Sequence, residues 1–321
     1  MRESAHQTAH YMKFSNEGHM TFLSTIRSAP IVKRIIWGMR PEEYSDEKLR
    51  ELLYVLNPIG IFMQGTYSAD SLKIQILRVR ALSKEPLLIA IDQEGGGVRH
   101  VIDDTNPGAP ELSTLPDEQQ CQYLRTTDSM LANAGVDINF GLIVDSSSHP
   151  SDVMKKRAYS SDPNEVKKYV KRYMRCTGRI KQTAKHFPGI GGTDIDSHTE
   201  VPVFSTSFSL WSDTIATPFS EAIRLHVPMI MMGHIIYSAV DTTPASLSSH
   251  WIKTIRSTGY NGILITDDLG MLGKNPGELA ARTKQALEAG NDLVLISSLP
   301  GFEIIPAYEA ISSMNAHVIS L

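Results

Sequence analysis

The stretch LLIAIDQEGGG, residues 87–97, decides the fold. Its first five residues are apolar without alternation, which fits a strand buried on both faces in a parallel sheet covered by helices. It then runs into Asp92, Gln93 and Glu94 and three glycines, so a buried strand delivers polar side chains onto a turn. The same pattern recurs on both sides. IVKRIIWG (31–38) and IGIFMQ (59–64) come before it. VDINFGLIVD (136–145), IKQTAKHF (180–187), VPMIMMGHI (227–235), GILITDD (262–268) and DLVLISS (292–298) come after, making eight candidate strands.

Helical periodicity fills the intervals. PEEYSDEKLRELLYVL (41–56) gathers Leu49, Leu52, Leu53 and Leu56 on one side behind a starting proline. Over 70–82, Leu72, Ile76 and Val79 predict a helix whose apolar stripe Ile74 and Leu77 broaden, with a short strand as the alternative. SDPNEVKKYVKRYMRC starts at Ser161 with Glu165 as a capping signal; further helices are predicted at 246–260, 278–290 and 304–314. Residues 101–117, with Pro107, Gly108, Pro110 and Pro116, read as a long loop. Eight strand–helix units predict an α/β chain folded as a single (β/α)8 TIM-type barrel with some strands irregular; a doubly wound open sheet is the alternative. The domain assignment is a flexible extension over 1–29 and one barrel over 30–321.

Composition narrows the function classes. The 321 residues are 41% hydrophobic, and 31 Lys+Arg against 35 Asp+Glu leave a formal charge of -4. That lacks the basic excess that would match a phosphate backbone, so no nucleic-acid partner is expected. Two cysteines, Cys121 and Cys176, suffice neither for a disulfide scaffold nor for a four-thiolate zinc site. No run approaches the roughly 20 apolar residues of a membrane span, and the amino end lacks the apolar core of a secretory signal. The expected location is therefore the cytoplasm, with an exported or lipid-anchored form as the alternative for a processed chain. The extension carries His6, His10 and His19, a loose metal-binding tract at most.

In a barrel the carboxyl ends of the strands build the reactive face. Five successive strands end in ionisable groups: Asp92, Asp145, Lys185-His186, His234 and Asp267-Asp268. One such residue is an ordinary cap or surface charge; five on one rim make a polar pocket. After the fifth strand, GIGGTDIDSH (189–198) is glycine-rich but has neither a dinucleotide fingerprint nor a P-loop lysine. Within it, Asp196-x-His198 allows a carboxylate to fix an imidazole tautomer so that the other ring nitrogen transfers a proton. Asp267 on a strand end suits a nucleophile, and a group on the loop suits the acid/base of a retaining hydrolase. The same residues leave open a Schiff-base aldolase using Lys185, a zinc or two-metal phosphatase, and a sugar-binding barrel without catalysis.

Ordered motifs then point to a family. They are IDQEGGGVRH (91–100), RAYSSDP (157–163), KHFPGIGGTDIDSH (185–198), MMGHIIYSAVD (231–241), ITDDLGM (265–271) and EAGNDLVL (288–295). Across roughly residues 31–315 the chain resembles the bacterial single-domain β-N-acetylglucosaminidases of glycoside hydrolase family 3, the branch of cell-wall recycling. The resemblance implies a retaining exo-hydrolase that releases terminal N-acetylglucosamine from peptidoglycan-derived or related β-glycosides. It implies Asp267 as nucleophile, His198 as acid/base and Asp196 as its orienting carboxylate. Asp92, Arg157, Lys185 and His186 align with sugar-binding residues, and His234 and Asp145 fall near that pocket. No metal and no organic cofactor are implied. The expected partner is a small carbohydrate or muropeptide, with no stable membrane insertion, and the chain is expected as a monomer or weak homo-oligomer. Gly97 and His100 stand where the family usually has arginines, Ile190 for histidine, Gly192 for aspartate and Gly233 for alanine. These departures motivate two alternatives: a non-catalytic carbohydrate-binding pseudoenzyme, or a family 3 glycosidase with another sugar specificity. Phosphorolysis by the same residues is a further possibility.

Overall fold

Parallel strands close on themselves in the computed structural model, which describes residues 24–147, 153–191, 201–299 and 301–316. The barrel strands are β1 (Ile35–Met39), β2 (Gly60–Met63), β3 (Leu88–Ile91), β4 (Ile138–Ile143), β5 (Lys181–Phe187), β7 (Met229–Met232), β9 (Ile263–Asp268) and β10 (Leu293–Ile296). Their order around the barrel is β1-β10-β9-β7-β5-β4-β3-β2, all neighbours parallel. Each coincides with one of the eight stretches read from the sequence. Two short strands, β6 (Val203–Phe204) and β8 (Ile236–Tyr237), pair beside the barrel.

Most strands are apolar on both sides because each side meets a different core; β5, with Gln182, Thr183, Lys185 and His186 buried, is the exception. Ile36, Phe62, Leu88, Phe140, Met229, Met231, Ile263 and Leu295 fill the barrel interior, while the opposite side chains pack under the helices. Ile26, within a helical stretch at 24–28, is 1% exposed and joins the interior cluster. Nearby Arg27 donates to Asp292 Oδ1 at 2.6 Å.

The longer helices are α1 (Asp46–Leu56), α2 (Ala69–Leu82), α3 (Asp117–Ala134), α4 (Pro163–Cys176), α5 (Phe208–Asp213), α6 (Ala216–Arg224), α7 (Ser249–Ser257), α8 (Pro276–Ala289) and α9 (Ile304–Ala316), and a single helical turn, Ala109–Leu112, interrupts the 101–117 stretch read as a loop. Three details depart from the sequence reading. First, the helix expected from Pro41 starts at Asp46, because the extended Ser45 caps it by accepting from Lys48 N; Pro41–Glu43 is a separate 3-10 turn. Second, α4 is capped by Asp162, not Ser161, with Pro163 in its first turn. Third, α2 buries Leu72, Ile76 and Val79, whereas Ile74 and Leu77 are exposed, 62% and 57%. They lie off the buried stripe. Helices α3, α5 and α6 were not anticipated at all. In α3 the buried positions include Gln120, Thr127 and Asp128, which interrupt the apolar period. Cys121 of α3 and Cys176 of α4 are joined in a disulfide with Cα atoms 5.3 Å apart. The histidine tract of His6, His10 and His19 lies outside the described residues.

Candidate active site

The floor of the site is the top layer of the barrel interior. Phe62, Phe140, Met231 and Leu295 belong to the interior cluster and also line a cavity of about 130 Å3 at the carboxyl ends of the strands. Phe62 and Phe140 stack with ring centroids 5.8 Å apart. Asp92, Arg157, Lys185, His186, Asp267, Asp268, Met271, Ser297 and Ser298 complete the wall. The structure thus brings together five residues expected from the sequence: Asp92, Arg157, Lys185, His186 and Asp267.

On one side stands a buried charge network. Lys185 Nζ lies 2.6 Å from both Asp92 Oδ1 and Glu94 Oε1, and Glu94 takes a two-pronged grip from Arg157 at 2.9 and 2.6 Å. Burial opposes ionisation of Glu94, but Arg157 and Lys185 outweigh it and bring its pKa down to about 2. Burial raises Asp92; Lys185 pulls it back and the Glu94 carboxylate pushes it up, with a net rise. Burial likewise disfavours charge on Lys185, yet Asp92 and Glu94 raise it, so the ammonium persists. The result is a wall of two cations and two carboxyl groups, of which the Asp92 side chain is 25% exposed. Such an array donates to and accepts from hydroxyl groups. Glu94 had no assigned role in the sequence reading; its place two residues after Asp92 was the available signal.

Across the cavity, β9 presents two neighbouring carboxylates with different tasks. Asp268 Oδ1 accepts from Gly270 N and Ser297 N, Oδ2 accepts from the Ser298 hydroxyl, and its carbonyl accepts from His234 Nε2. It pegs the end of β9 to β10. Asp267 faces the cavity, with Oδ1 accepting from Asp268 N at 2.8 Å and Oδ2 4.0 Å from His186 Nε2. Burial pushes the Asp267 carboxyl up, but His186, His234, the Asp268 amide and Lys185 together hold it below its ordinary value. An ionised carboxylate on a rigid strand end is the state a nucleophile needs.

Two expected residues stand one layer behind this wall. Asp145 is buried and accepts from His186 N, from His186 Nδ1 at 2.8 Å and from Ile190 N. Because a carboxylate in this state accepts only, Nδ1 carries the proton and Nε2 is the atom turned toward Asp267. His234 is fully buried between the Asp268 carbonyl and the Ser246 hydroxyl, so its Nε2 is a donor and its Nδ1 meets Ser246. Asp196, His198 and Gly192 lie outside the described residues. The chain that leads to them is fastened at its start: Trp211 Nε1 donates to Pro188 O and the Tyr237 hydroxyl to Gly189 O.

The departures have distinct settings. A Cβ on Gly97 would meet nothing within 4 Å. His100 Nδ1 donates to Gly65 O at 2.7 Å and its ring edge rests on Phe62, so it reaches the cavity only through that ring. Gly233 and Ile190 go together: a Cβ on Gly233 would come 3.3 Å from Ile190 Cγ2 and 3.0 Å from His186 Cβ. A Cβ there would crowd His186 first and buried Ile190 second. Among the described residues no group of three His, Cys, Asp or Glu side chains is arranged to hold a metal ion.

Comparison with known proteins places the chain in a family. A beta-hexosaminidase of Alkalilimnicola ehrlichii is 32% identical over 289 residues, covering 85% of this chain and 82% of the relative. One of Bordetella avium is 30% identical over 292 residues, covering 86% and 83%. Among solved structures, a glycoside hydrolase family 3 beta-N-acetylglucosaminidase from Paenibacillus sp. superposes with a TM-score of 0.78 at 28% identity; the match covers 88% of this chain and 57% of that one. NagZ from Neisseria gonorrhoeae shares the fold, with a TM-score of 0.74 at 24% identity over 89% of this chain and 91% of its own. Residues 44–317 match the glycosyl hydrolase family 3 N terminal domain, and the chain belongs to that family.

Proposed function

We propose that this chain is a retaining exo-β-N-acetylglucosaminidase acting on N-acetylglucosamine-terminated β-glycosides, among them peptidoglycan fragments. The observation that carries the reading is the placement of ionised Asp267 opposite the Asp92–Lys185–Arg157 wall, across a cavity floored by the barrel core. The wall binds the hydroxyl edge of a terminal sugar and sets its anomeric carbon over Asp267. Asp267 attacks that carbon while the aglycone oxygen leaves with a proton from His198. Water then attacks the glycosyl-enzyme, giving its proton to His198, and releases the sugar with its original anomeric configuration. Asp196 holds the His198 imidazole in the working tautomer through both steps. An imidazole titrates near neutrality, so it can both give and take the proton.

Among the described residues no helix is long and apolar enough to cross a membrane. The location we propose is the cytoplasm, with an exported or lipid-anchored form as the alternative for a processed chain.

The test is hydrolysis of 4-nitrophenyl N-acetyl-β-glucosaminide beside the matching β-glucoside, for the wild type, Asp267→Asn and His198→Ala. Selective aminosugar turnover, abolished by Asp267→Asn and with the β anomer formed first by NMR, is the expected result. Binding of N-acetylglucosamine with no turnover of either glycoside would instead favour the carbohydrate-binding pseudoenzyme.

A further inference from the structure

Helix α2 carries apolar side chains on both of its sides. Leu72, Ile76 and Val79 are buried in the core between helices and strands, whereas Ile74 and Leu77 are 62% and 57% exposed. A lone exposed leucine is ordinary on a protein surface. Here the exposed side chains follow a pattern: Asp70, Ile74, Leu77, Ala81 and Lys84, all on the solvent side, recur at intervals of four, three, four and three. That is the spacing of a coiled-coil seam, a stripe along one helix that meets a second helix. The barrel does not need it, since the buried stripe already attaches α2. Tyr54 of neighbouring α1, 65% exposed, marks the far end of the stripe, where Lys84 Nζ lies 4.1 Å from its ring centroid.

The stripe complements itself in one direction only. Leu77 is its midpoint, with Asp70 seven residues before it and Lys84 seven after. A two-fold axis through Leu77 sets that residue against Leu77 of a second copy, Ile74 against Ala81, and Asp70 against Lys84 at both ends. Large then meets small, and acid meets base. In the parallel arrangement Asp70 would face Asp70 and Lys84 would face Lys84, like charges that oppose pairing. We infer that α2 is a self-association surface, through which two copies of this chain pair with their α2 helices antiparallel.

The flanks of the stripe permit a close approach. Arg78 is turned aside to Asp46 Oδ1, Pro41 O and Tyr44 O. Arg80 is turned the other way, to Asp137 Oδ2 and Gly135 O, so neither guanidinium stands on the seam. Lys73, beside Ile74, lays its methylene stem along apolar surface and keeps its ammonium in water. The contact is one helix wide, at the low end of specific interfaces, so the dimer is weak and forms at high protein concentration. It lies on the flank of the barrel and leaves the carboxyl ends of the strands open. The inference therefore stands independently of the glycosidase reading.

Sedimentation equilibrium of the whole chain from about 5 to 500 μM tests it. Thermal melts verify the folding of every variant, and all the substituted side chains are exposed. The wild type is expected to dimerise within that range. Leu77→Glu, which sets like charges on the axis, should weaken the dimer by about 10-fold or more, and so should Asp70→Lys and Lys84→Asp singly. The Asp70→Lys/Lys84→Asp double variant should return to within about 3-fold of wild type, as should an equimolar mixture of the two single variants. A wild type that is monomeric throughout overturns the inference and leaves α2 to another partner or to another segment of this chain. A dimer that Leu77→Glu leaves intact overturns it as well, placing the contact elsewhere. A dimer that Leu77→Glu breaks but the double variant fails to restore overturns the antiparallel pairing.

Discussion

Glu94→Gln is the most revealing single change, because it keeps the shape of the side chain and removes only its charge. Glu94 is 7% exposed and meets Arg157 at 2.6 Å and Lys185 at 2.6 Å. Its carboxyl lies at about 2 in place of the usual 4.5. A shift of that size corresponds to about 3 kcal/mol of native-state stabilisation at neutral pH. Independently, removing one member of a buried ion cluster costs about 3–5 kcal/mol, since the remaining charges stay buried without their partner. For a chain of this length that is a fall in Tm of roughly 4–7 °C. The sign is definite. A folded-state pKa below the unfolded one gives stability that is complete above about pH 4.5 and lost as pH falls toward about 2. Urea unfolding of wild type and variant from pH 6 down to pH 2 measures it: the stability gap should be about 3 kcal/mol at pH 6 and close progressively below pH 4.5. Released from its grip, Arg157 should also bind sugar less well, lowering kcat/KM by about 100-fold, or about 2.7 kcal/mol. A gap that is absent at pH 6, or constant over the whole range, would refute the charge-network account.

Two other perturbations test separate parts of the structure. Gly233→Ala should cost about 1–3 kcal/mol by overpacking, and adding Ile190→Ala should relieve part of it, so the double variant loses at least about 0.5 kcal/mol less than the sum; additive losses in chemical denaturation would rule out the contact. Reducing the Cys121–Cys176 bond, which closes a span of 55 residues, should remove up to about 4 kcal/mol. Unchanged melting with and without dithiothreitol, or two titratable thiols in the unreduced denatured protein, would count against that cross-link.

The barrel was legible in the sequence because its signal is local. A strand covered on both faces reads as a nearly continuous apolar run; several of the eight stretches do, β5 with its KQTAKHF being the exception, and eight strand–helix units leave few architectures. The reactive face was legible for the same reason: Asp92, Lys185, His186 and Asp267 sit at the ends of those runs, and parallel strands carry all such ends to one side. Helix α3 was not legible, since tertiary partners satisfy the buried polar groups that break its period. Asp128, for one, accepts from Gly178 N, Arg179 N and Gln182 Nε2, all far away in the chain.

The roles within the site were also decided only in three dimensions. Nothing in the order of residues says that Glu94 and not Gln93 meets Arg157, that Asp268 turns to β10 while Asp267 faces the cavity, or that Gly233 lies against His186 and Ile190. Nor does spacing alone pair Cys121 with Cys176. The sequence by itself determined which elements form and which chemistry their ends carry, because periodicity and side-chain type are properties of neighbours along the chain. Only the tertiary structure decided which charges meet, which histidine nitrogen faces Asp267 and which residues line the cavities, because those depend on distances between residues tens to hundreds of positions apart.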